Sequence, residues 1–243
     1  MRYIDLQPLL CKKNSWRNTK ELWRDPTLRN DFRNYGFNKC WYTEVSLLGQ
    51  DAPIDHWRPK GKIVQFENHN YNVPLSKCGY DWLMNDPSNY RVCCIYANRK
   101  TGNGGKGNYF PLASGSPYLT NGGHQVEVPL LLDPCNENDV KLISFLGDKV
   151  VSSSTDSIDK VRVEVSAKIY NMIDPYIEAG RRKVWDEVEK TLAEYESEDI
   201  SETVCIRRLT DYTSRDSQFS ACAIACINSM ASDDIKDQLD LTL

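Results

Sequence analysis

Apolar side chains recur at spacings of three and four residues in the C-terminal part of the chain, and this periodicity constrains the fold most strongly. One helix is predicted to begin at Asp159 and to end at the Asp174-Pro175 pair, and a second to run over residues 176–195. Their apolar stripes are formed by Val161, Val165, Ile169 and Met172, and by Ile177, Val184, Val188 and Leu192. The sequence therefore predicts a mostly helical region over residues 136–243.

A third helix is predicted over residues 215–230, after an acidic linker at residues 196–199. Cys222 and Cys226 lie one turn apart in it among Ala and Ile residues, so both thiols are expected in the core. The tail, residues 233–243, is acidic with spaced aliphatic side chains. We expect it either to be disordered or to fold on a partner.

Charge is distributed unevenly along the 243 residues, whose formal net charge is −4. Residues 1–110 contain 17 Lys and Arg against 10 Asp and Glu, whereas residues 111–243 contain 13 against 24. A basic half followed by an acidic half is typical of a nucleic-acid-facing module joined to a partner-facing or regulatory one. The alternative is an acidic half that is simply the solvated face of a helical region.

The cysteine content and the hydropathy pattern indicate a cytoplasmic protein. Nine cysteines are an odd number and follow no regular framework, which favours reduced thiols. The first five residues, Met1 to Asp5, lack the basic-then-apolar pattern of a secretory signal. No apolar run approaches the roughly 18 residues of a membrane span, so no membrane partner is expected.

Residues 1–35 form a basic and aromatic arm. Its cations include Lys12, Lys13, Arg17, Lys20, Arg24, Arg29 and Arg33, and its aromatic residues include Trp16, Trp23, Phe32 and Tyr35. A short helix around Leu22 and Trp23 is expected, capped by Thr19 and ended by Asp25-Pro26. The arm is suited to contact a nucleic-acid backbone and its bases, or its aromatic side chains pack it onto the main domain.

The stretch Ile54-Asp55-His56-Trp57-Arg58-Pro59-Lys60 has the composition of a phosphate-handling site. Its carboxylate is suited to a hard metal ion and its imidazole to taking a proton from water. Arg58 and Lys60 suit an anionic, phosphate-bearing substrate. The alternative is a surface loop with an incidental histidine. The other histidines, His69 and His124, lie in loop-like sequence and receive no role.

A β-hairpin is predicted around this stretch, with residues 54–56 as its first strand and residues 62–66 as its second. A long loop follows to Ser88. Residues 90–100 are expected to start extended and to become helical. The glycine-rich segment 102–107 lacks the residue order of a phosphate-binding loop and is predicted to be a flexible loop.

Several of these motifs, taken in order, resemble the HNH endonuclease family. Besides residues 54–60, they are Tyr80-Asp81-Trp82, Asn89 and Asn98 with Cys94 between them, Lys106-Gly107 before Phe110-Pro111, and Leu132-Asp133-Pro134-Cys135-Asn136. The branch it resembles most includes the PtuB-type HNH subunit of the Septu antiphage system, which occurs with an ATPase or alongside retrons. The resemblance covers residues 39–140. It implies an α+β chain, with a ββα-metal core at residues 36–135 between the arm and the helical region.

The resemblance also implies roles for individual residues. His56 would be the general base, and Asp55 and Asn98 would hold one Mg²⁺ or Mn²⁺ ion. Asn89 would orient His56 or pin the loop. Arg58 or Lys60 would hold the phosphodiester, with Lys100 and Lys106 as further candidates.

The chain departs from the family at its zinc positions. Many relatives hold a structural zinc with two Cys-x-x-Cys pairs. Here Thr43 and Ala97 stand at the second position of each pair, after Cys40 and Cys94. Because a structural site needs four ligands, no zinc is expected, and Cys40 and Cys94 are expected to be small buried residues.

The function implied is that of a metal-dependent nuclease cutting DNA or a structured RNA such as tRNA. It would be the effector of an antiphage complex controlled by a PtuA-type ABC/SMC-like ATPase, with a retron reverse transcriptase and its RNA–DNA product as further partners. Two alternatives remain open: an inactive HNH-like binding or scaffold subunit, and a stand-alone restriction-type nuclease.

Overall fold

The structure is a computed structural model that describes residues 1–17, 20–49, 53–67, 69, 79–100 and 104–243. The fold is mixed α+β, about 43% helical, with two small antiparallel sheets. The expected α+β class is therefore confirmed. Thr19, which was expected to cap a helix, and residues 102–103 of the glycine-rich segment lie outside the described residues.

The helices and strands alternate irregularly in the first half of the chain and become mainly helical in the second. The helices are α1 (Gln7–Leu10), α2 (Pro26–Tyr35), α3 (Ile95–Asn98), α4 (Glu137–Val140), α5 (Ser157–Ile169), α6 (Pro175–Glu196), α7 (Glu202–Thr213), α8 (Ser220–Met230) and α9 (Asp233–Lys236). The strands are β1 (Ile54–His56), β2 (Tyr90–Val92), β3 (Ile143–Leu146) and β4 (Lys149–Ser152). Short 3₁₀ turns include Leu22–Arg24 and Pro87–Asn89.

The strand that pairs with β1 is β2, in an antiparallel register that sets Asp55 opposite Arg91. The prediction that residues 62–66 pair with β1 was wrong. Within residues 62–66, Val64 alone forms a β-bridge, and its partner is Tyr109. Tyr90 and Val92 are fully buried, whereas Val64 is exposed, so β2 supplies the apolar strand that the core requires. The predicted change from extended to helical backbone after residue 90 is confirmed, and the chain order here is strand, strand, helix.

The Asp25-Pro26 pair ends the 3₁₀ turn Leu22–Arg24, as predicted for a short helix around Leu22 and Trp23, and it also begins α2, which was not predicted. The Asp25 carboxylate accepts a hydrogen bond from the Leu28 amide at 3.0 Å, and Pro26 occupies the first helical position. Trp16 packs against Phe32, and Phe32 stacks on Trp41. These aromatic side chains of the arm thus pack into the core.

The C-terminal region follows the helical prediction in part. Helices α5 and α6 begin at the caps Asp156 and Asp174, close to the expected positions. The third helix is shorter than predicted, since α8 begins at Ser220. Helix α7 and the β3–β4 hairpin were not predicted. Cys222 and Cys226 are fully buried, which confirms them as core residues.

The tail packs on this chain's own core. Ile235 in α9 is 1% exposed, and Leu239, Leu241 and Leu243 pack against the core. The arm is joined to the rest of the chain as well, since the Ile4 amide donates to the Pro134 carbonyl at 2.9 Å. Within the part of the chain that is described, no helix is both long enough and apolar enough to cross a membrane.

Candidate active site

Strand β1 presents Asp55 and His56 to opposite sides, because successive side chains of a strand alternate. Both side chains are buried. Asp55 contacts Tyr42 and Lys106 on one side, and His56 lies between Trp23 and Tyr90 on the other. The site thus has a carboxylate half and an imidazole half, joined by one peptide unit.

The Asp55 carboxylate is held by two donors from distant parts of the chain. The Tyr42 hydroxyl donates to Oδ2 at 2.7 Å, and the Lys106 ammonium lies 3.2 Å from Oδ1 and 3.1 Å from Oδ2. Lys106 is 0% exposed and also donates to the His56 carbonyl at 2.7 Å. Asp55 therefore has a buried counter-ion, and Lys106 does not face a substrate directly.

The His56 imidazole is held in one orientation by the Met84 carbonyl, which lies 2.9 Å from Nε2. Burial lowers the pKa of His56, although the bond to Met84 and the charge of Asp55 raise it in part. The imidazole is therefore neutral near pH 7. Since a carbonyl oxygen only accepts, Nε2 carries the hydrogen and Nδ1 holds the lone pair. Nδ1 is the atom that can take a proton.

Asn89 fixes the chain that follows β1. Its Oδ1 accepts from the Arg58 amide at 2.8 Å, and its Nδ2 donates to the Arg58 carbonyl at 2.9 Å. Its own carbonyl accepts from the Trp57 amide at 2.9 Å. Of the two tasks expected for Asn89, these contacts correspond to pinning the loop.

Asn98 is the last residue of α3 and is half-buried. Its carbonyl accepts from the Gly107 amide at 2.8 Å, and the carbonyl of Ala97 accepts from the Lys106 amide at 2.8 Å. Lys106 thus runs along the end of α3 with its backbone and reaches Asp55 with its side chain. This connection holds the end of the helix that carries Asn98 beside the carboxylate half of the site.

The four cations expected to bind phosphate are in different environments. Arg58 pairs with Glu127 at 2.8 Å and stacks against the ring of Trp57, with its Cζ 4.8 Å from the ring centroid. Lys60 is half-buried, with Nζ 3.3 Å from the centroid of the Trp23 ring, and burial lowers its pKa. Lys100 is exposed beside Tyr109. Among the described residues neither Lys60 nor Lys100 forms an ion pair, so an incoming phosphate can reach these two cations without breaking one.

The donors for a hard cation are one carboxylate, Asp55, and one amide, Asn98. Over the described ranges, no group of three or more His, Cys, Asp and Glu side chains is placed to hold a metal ion. A carboxylate accepts at about four lone-pair positions, and hydrogen bonds from Tyr42 and Lys106 use two of them on Asp55. One carboxylate and one amide supply only two ligands, and Lys106 already balances the charge of Asp55, so phosphate oxygens and water must supply the remaining ligands of a bound cation.

Cys40, Thr43, Cys94 and Ala97, at which the resemblance places the zinc ligands of other proteins, lie close together. Cys40 and Cys94 are fully buried, and the Thr43 hydroxyl lies 3.8 Å from the Cys94 Sγ. The Ala97 amide donates to the same sulfur at 3.4 Å. The bond from Cys40, followed by those from Ala97 and Thr43, lowers the pKa of Cys94 to about 7 against the opposing effect of burial. Both cysteines are buried as expected.

Sequence reasoning missed the side chains that hold the site in place. Tyr42 is 13 residues from Asp55, and Glu127, the partner of Arg58, is 69 residues from it. Trp23 and the Met84 carbonyl, which hold the imidazole, come from the arm and from the long loop. A local motif carries no signal for such long-range partners.

Comparison with known proteins gives no assignment: neither a protein-family model nor a curated protein matches the chain.

Proposed function

We propose that the chain is a metal-dependent endonuclease of the HNH type that hydrolyses phosphodiesters in DNA or in a structured RNA such as tRNA. The observation that carries the proposal is the strand, strand, helix order, with Asp55-His56 on β1, Asn89 just before β2 and Asn98 at the end of α3. This order agrees with the spacing on which the resemblance rests. A neutral, buried imidazole with one nitrogen held by a carbonyl supports the role of His56 as the base.

In this mechanism Nδ1 of His56 takes the proton of the attacking water. The Met84 carbonyl holds the ring, and Trp23 and Tyr90 pack on it edge to face. Asn89 fixes the loop that carries Arg58 and Lys60. Mg²⁺ or Mn²⁺ held by Asp55 and Asn98 would stabilise charge on the scissile phosphate and the leaving oxygen. General-base catalysis of this kind typically contributes about 10²- to 10⁴-fold.

Substrate contact by the arm is part of the same proposal. Trp23 lies on His56, and the exposed cations Lys13, Lys20 and Arg24 belong to the same arm. Asn85 hydrogen-bonds both the Leu22 amide and the Lys20 carbonyl, so the arm is held against the loop that contains Met84. A basic surface beside the imidazole suits a phosphate backbone.

We further propose that the nuclease is a cytoplasmic effector controlled by a partner ATPase of the ABC/SMC-like type. The resemblance to the Septu branch supports this. The acidic surface of the helical region is a candidate face for the partner, and a retron reverse transcriptase with its RNA–DNA product is a further candidate partner.

Growth toxicity in cells that also express the partner ATPase tests the function. Wild type is expected to arrest growth under the activating condition, and His56→Ala is expected to abolish the arrest. His124→Ala is the matched control, because His124 is exposed and outside the site. Equal toxicity of wild type and His56→Ala at equal protein levels would reject the proposal.

A catalytically inactive binding subunit is the second candidate, and the Asp55–Lys106 ion pair favours it. A carboxylate that is already neutralised by a buried ammonium attracts a divalent cation weakly. Nucleic-acid binding without strand scission, equal in wild type and His56→Ala at all tested Mg²⁺ and Mn²⁺ concentrations, would establish this candidate instead.

A further inference from the structure

The outer edge of β4 can be identified from the register of the β3–β4 hairpin. The Ser153 amide donates to the Leu142 carbonyl at 2.9 Å, so these two residues form a hydrogen-bonded pair just beyond the strands. Because hydrogen-bonded and non-hydrogen-bonded pairs alternate in an antiparallel sheet, the amide and carbonyl groups of Val150 and Ser152 point away from β3. We call these four groups the β4 edge.

The β4 edge is open to a further strand. Over the described ranges, no hydrogen bond involves the backbone amide or carbonyl of Val150 or Ser152. Both residues are half-buried, whereas Ile143 and Phe145, whose backbone groups form the opposite edge of the hairpin, are buried. An unpaired edge of this kind is a template for the backbone of another strand.

A groove of about 480 Å³ lies along the β4 edge. On one side it is lined by residues 150–152, and consecutive side chains of a strand point to opposite faces of the sheet. The groove therefore follows the edge of β4 and not one face of the hairpin. On the other side it is lined by one face of α5 and a residue that follows this helix: Lys160, Val163, Glu164, Ala167, Lys168 and Ile173. A strand added at the β4 edge would thus lie against α5.

The groove combines apolar walls with balanced charge. Ile173, one of its apolar residues, is 46% exposed. Lys168 forms an ion pair with Glu67. The other two charged residues of the groove, Lys160 and Glu164, have opposite signs. A polypeptide strand with apolar side chains suits such a groove, whereas a phosphate backbone requires an excess of cations.

The β4 edge is complementary to itself. Val150 and Ser152 lie symmetrically about Val151. A two-fold axis at Val151 therefore brings the Val150 groups of one copy of the chain opposite the Ser152 groups of another. Each donor then faces an acceptor, which gives four backbone hydrogen bonds, and the two Val151 side chains meet at the axis.

The charge at the start of β4 does not oppose this pairing. Lys149 forms ion pairs with Asp148 at 3.1 Å and with Glu178 at 3.0 Å. A lysine on an edge strand commonly prevents pairing through its charge. Here two carboxylates of the same chain balance that charge.

We propose that β4 pairs with β4 of a second copy of this chain, so that the two hairpins form one four-stranded antiparallel sheet. The apolar side chains of each β4 fill the groove of the other copy. This contact closes on itself, as in the two-fold dimers that are the commonest oligomers. The pairing concerns assembly and does not depend on the proposed nuclease activity.

Sedimentation velocity of the full chain over a range of concentrations tests the pairing. Wild type is expected to change from monomer to dimer as its concentration rises to the high micromolar range. Val151→Lys places two like charges at the axis and is expected to raise the dissociation constant about tenfold or more. Val126→Lys, at a valine that is 79% exposed and outside the groove, is the matched control and should dimerise as wild type does.

A cysteine at the axis tests the register of the pairing. Residues opposite each other in a non-hydrogen-bonded pair have Cα atoms about 4.5 Å apart, which is within the range of a disulfide. Val151→Cys, in a Cys11→Ser background because Cys11 is exposed, is expected to form an intermolecular disulfide when copper-phenanthroline is the oxidant. Peptide mass spectrometry should show the two introduced cysteines joined to each other. Val126→Cys in the same background should not form this link.

A wild-type chain that stays monomeric at every concentration would overturn the proposal. A dimer that Val151→Lys leaves unchanged, with no disulfide between the introduced cysteines of Val151→Cys, would overturn it as well, because the copies would then meet elsewhere.

Discussion

At the scale of single residues, the Lys106 ammonium determines the electrostatics of the carboxylate half of the site. It is fully buried, contacts both oxygens of Asp55 and also holds the His56 carbonyl. The resemblance placed Lys106 among the candidate cations for the phosphodiester. In the structure Lys106 is the counter-ion of Asp55, whereas Lys60 and Lys100 are accessible to an incoming phosphate.

Lys106→Met is expected to lower the free energy of unfolding by about 3–5 kcal/mol at pH 7, because it leaves the buried Asp55 carboxylate without its counter-ion. Urea unfolding followed by circular dichroism measures this. The double variant Lys106→Met with Asp55→Asn should lose less free energy of unfolding than the two single variants lose together. Lys100→Met, at an exposed lysine, is the control, and a Lys106→Met variant as stable as that control would show that the pair contributes nothing.

His56 makes stability depend on pH in a defined direction. Its pKa is lower in the folded state than the ordinary value of 6.5, so the unfolded chain binds more protons between the two values. Stability contributed by the neutral imidazole is therefore present above pH 6.5 and is lost as pH falls towards the lowered pKa. Between pH 7.5 and 5.5, wild type should lose more unfolding free energy than His56→Gln. If wild type and His56→Gln lost equal unfolding free energy over this pH range, the burial of a neutral imidazole would be contradicted.

At the scale of elements, Asp-Pro pairs show how one sequence signal serves two purposes. At residues 174–175 the pair separates two helices as predicted, but at residues 25–26 it starts α2. The same chemistry acts in both places, since the carboxylate caps the first free amides and proline fits the first helical position. Whether a helix also precedes the pair depends on packing upstream, and in the arm only a 3₁₀ turn forms there.

Asp25→Ala removes the acceptor for the Leu28 amide and for the Arg17 amide, each at 3.0 Å. We expect a loss of about 2 kcal/mol in unfolding free energy, at the upper end for a helix cap, because the group is buried. Chemical denaturation measures the loss. Asp234→Ala, at an exposed aspartate of α9, should change stability by less than about 0.5 kcal/mol. An equal loss of unfolding free energy in Asp25→Ala and Asp234→Ala would show that the Asp25 cap does not stabilise α2.

The strand that pairs with β1 could not be predicted from the sequence pattern. Residues 62–66 alternate well enough for a strand and lie close in sequence to β1, yet β1 pairs with Tyr90–Val92 across a long loop. Asp55, His56, Asn89 and Asn98 nevertheless lie along one strand–strand–helix succession, because their order does not depend on which loop is long. That Tyr42 and Lys106 hold Asp55 could not be predicted, since these contacts span 13 and 51 residues.

At the scale of the whole molecule, the arm, the strand–strand–helix unit and the helical region share one core. Arg91 forms a two-fold ion pair with Asp133 at 2.6 and 2.5 Å, and the Tyr170 hydroxyl accepts from Trp57 and donates to the Leu132 carbonyl. The ion pair attaches β2 to the segment before α4, and Tyr170, the residue after α5, attaches Trp57 to the same segment. The tail is part of this core through Ile235, so its deletion removes packing in addition to any docking surface.

Ile235→Ala is expected to lower the free energy of unfolding by about 2–4 kcal/mol, because it removes a side chain that is 1% exposed. The matched control is Ile158→Ala at an exposed isoleucine, which should cost less than about 1 kcal/mol. Thermal and urea unfolding of the two variants give the comparison. A tail that is mobile in solution would make the two substitutions equally mild.

Strand scission by the purified chain tests the central claim most directly. Supercoiled DNA and tRNA would be incubated with wild type, His56→Ala and His124→Ala, with the partner ATPase, in Mg²⁺ or Mn²⁺. The account predicts metal-dependent cleavage of at least one substrate, retained in His124→Ala and reduced about 10²-fold or more in His56→Ala. Cleavage that His56→Ala performs as fast as wild type, or no cleavage of either substrate under any of these conditions, would contradict it.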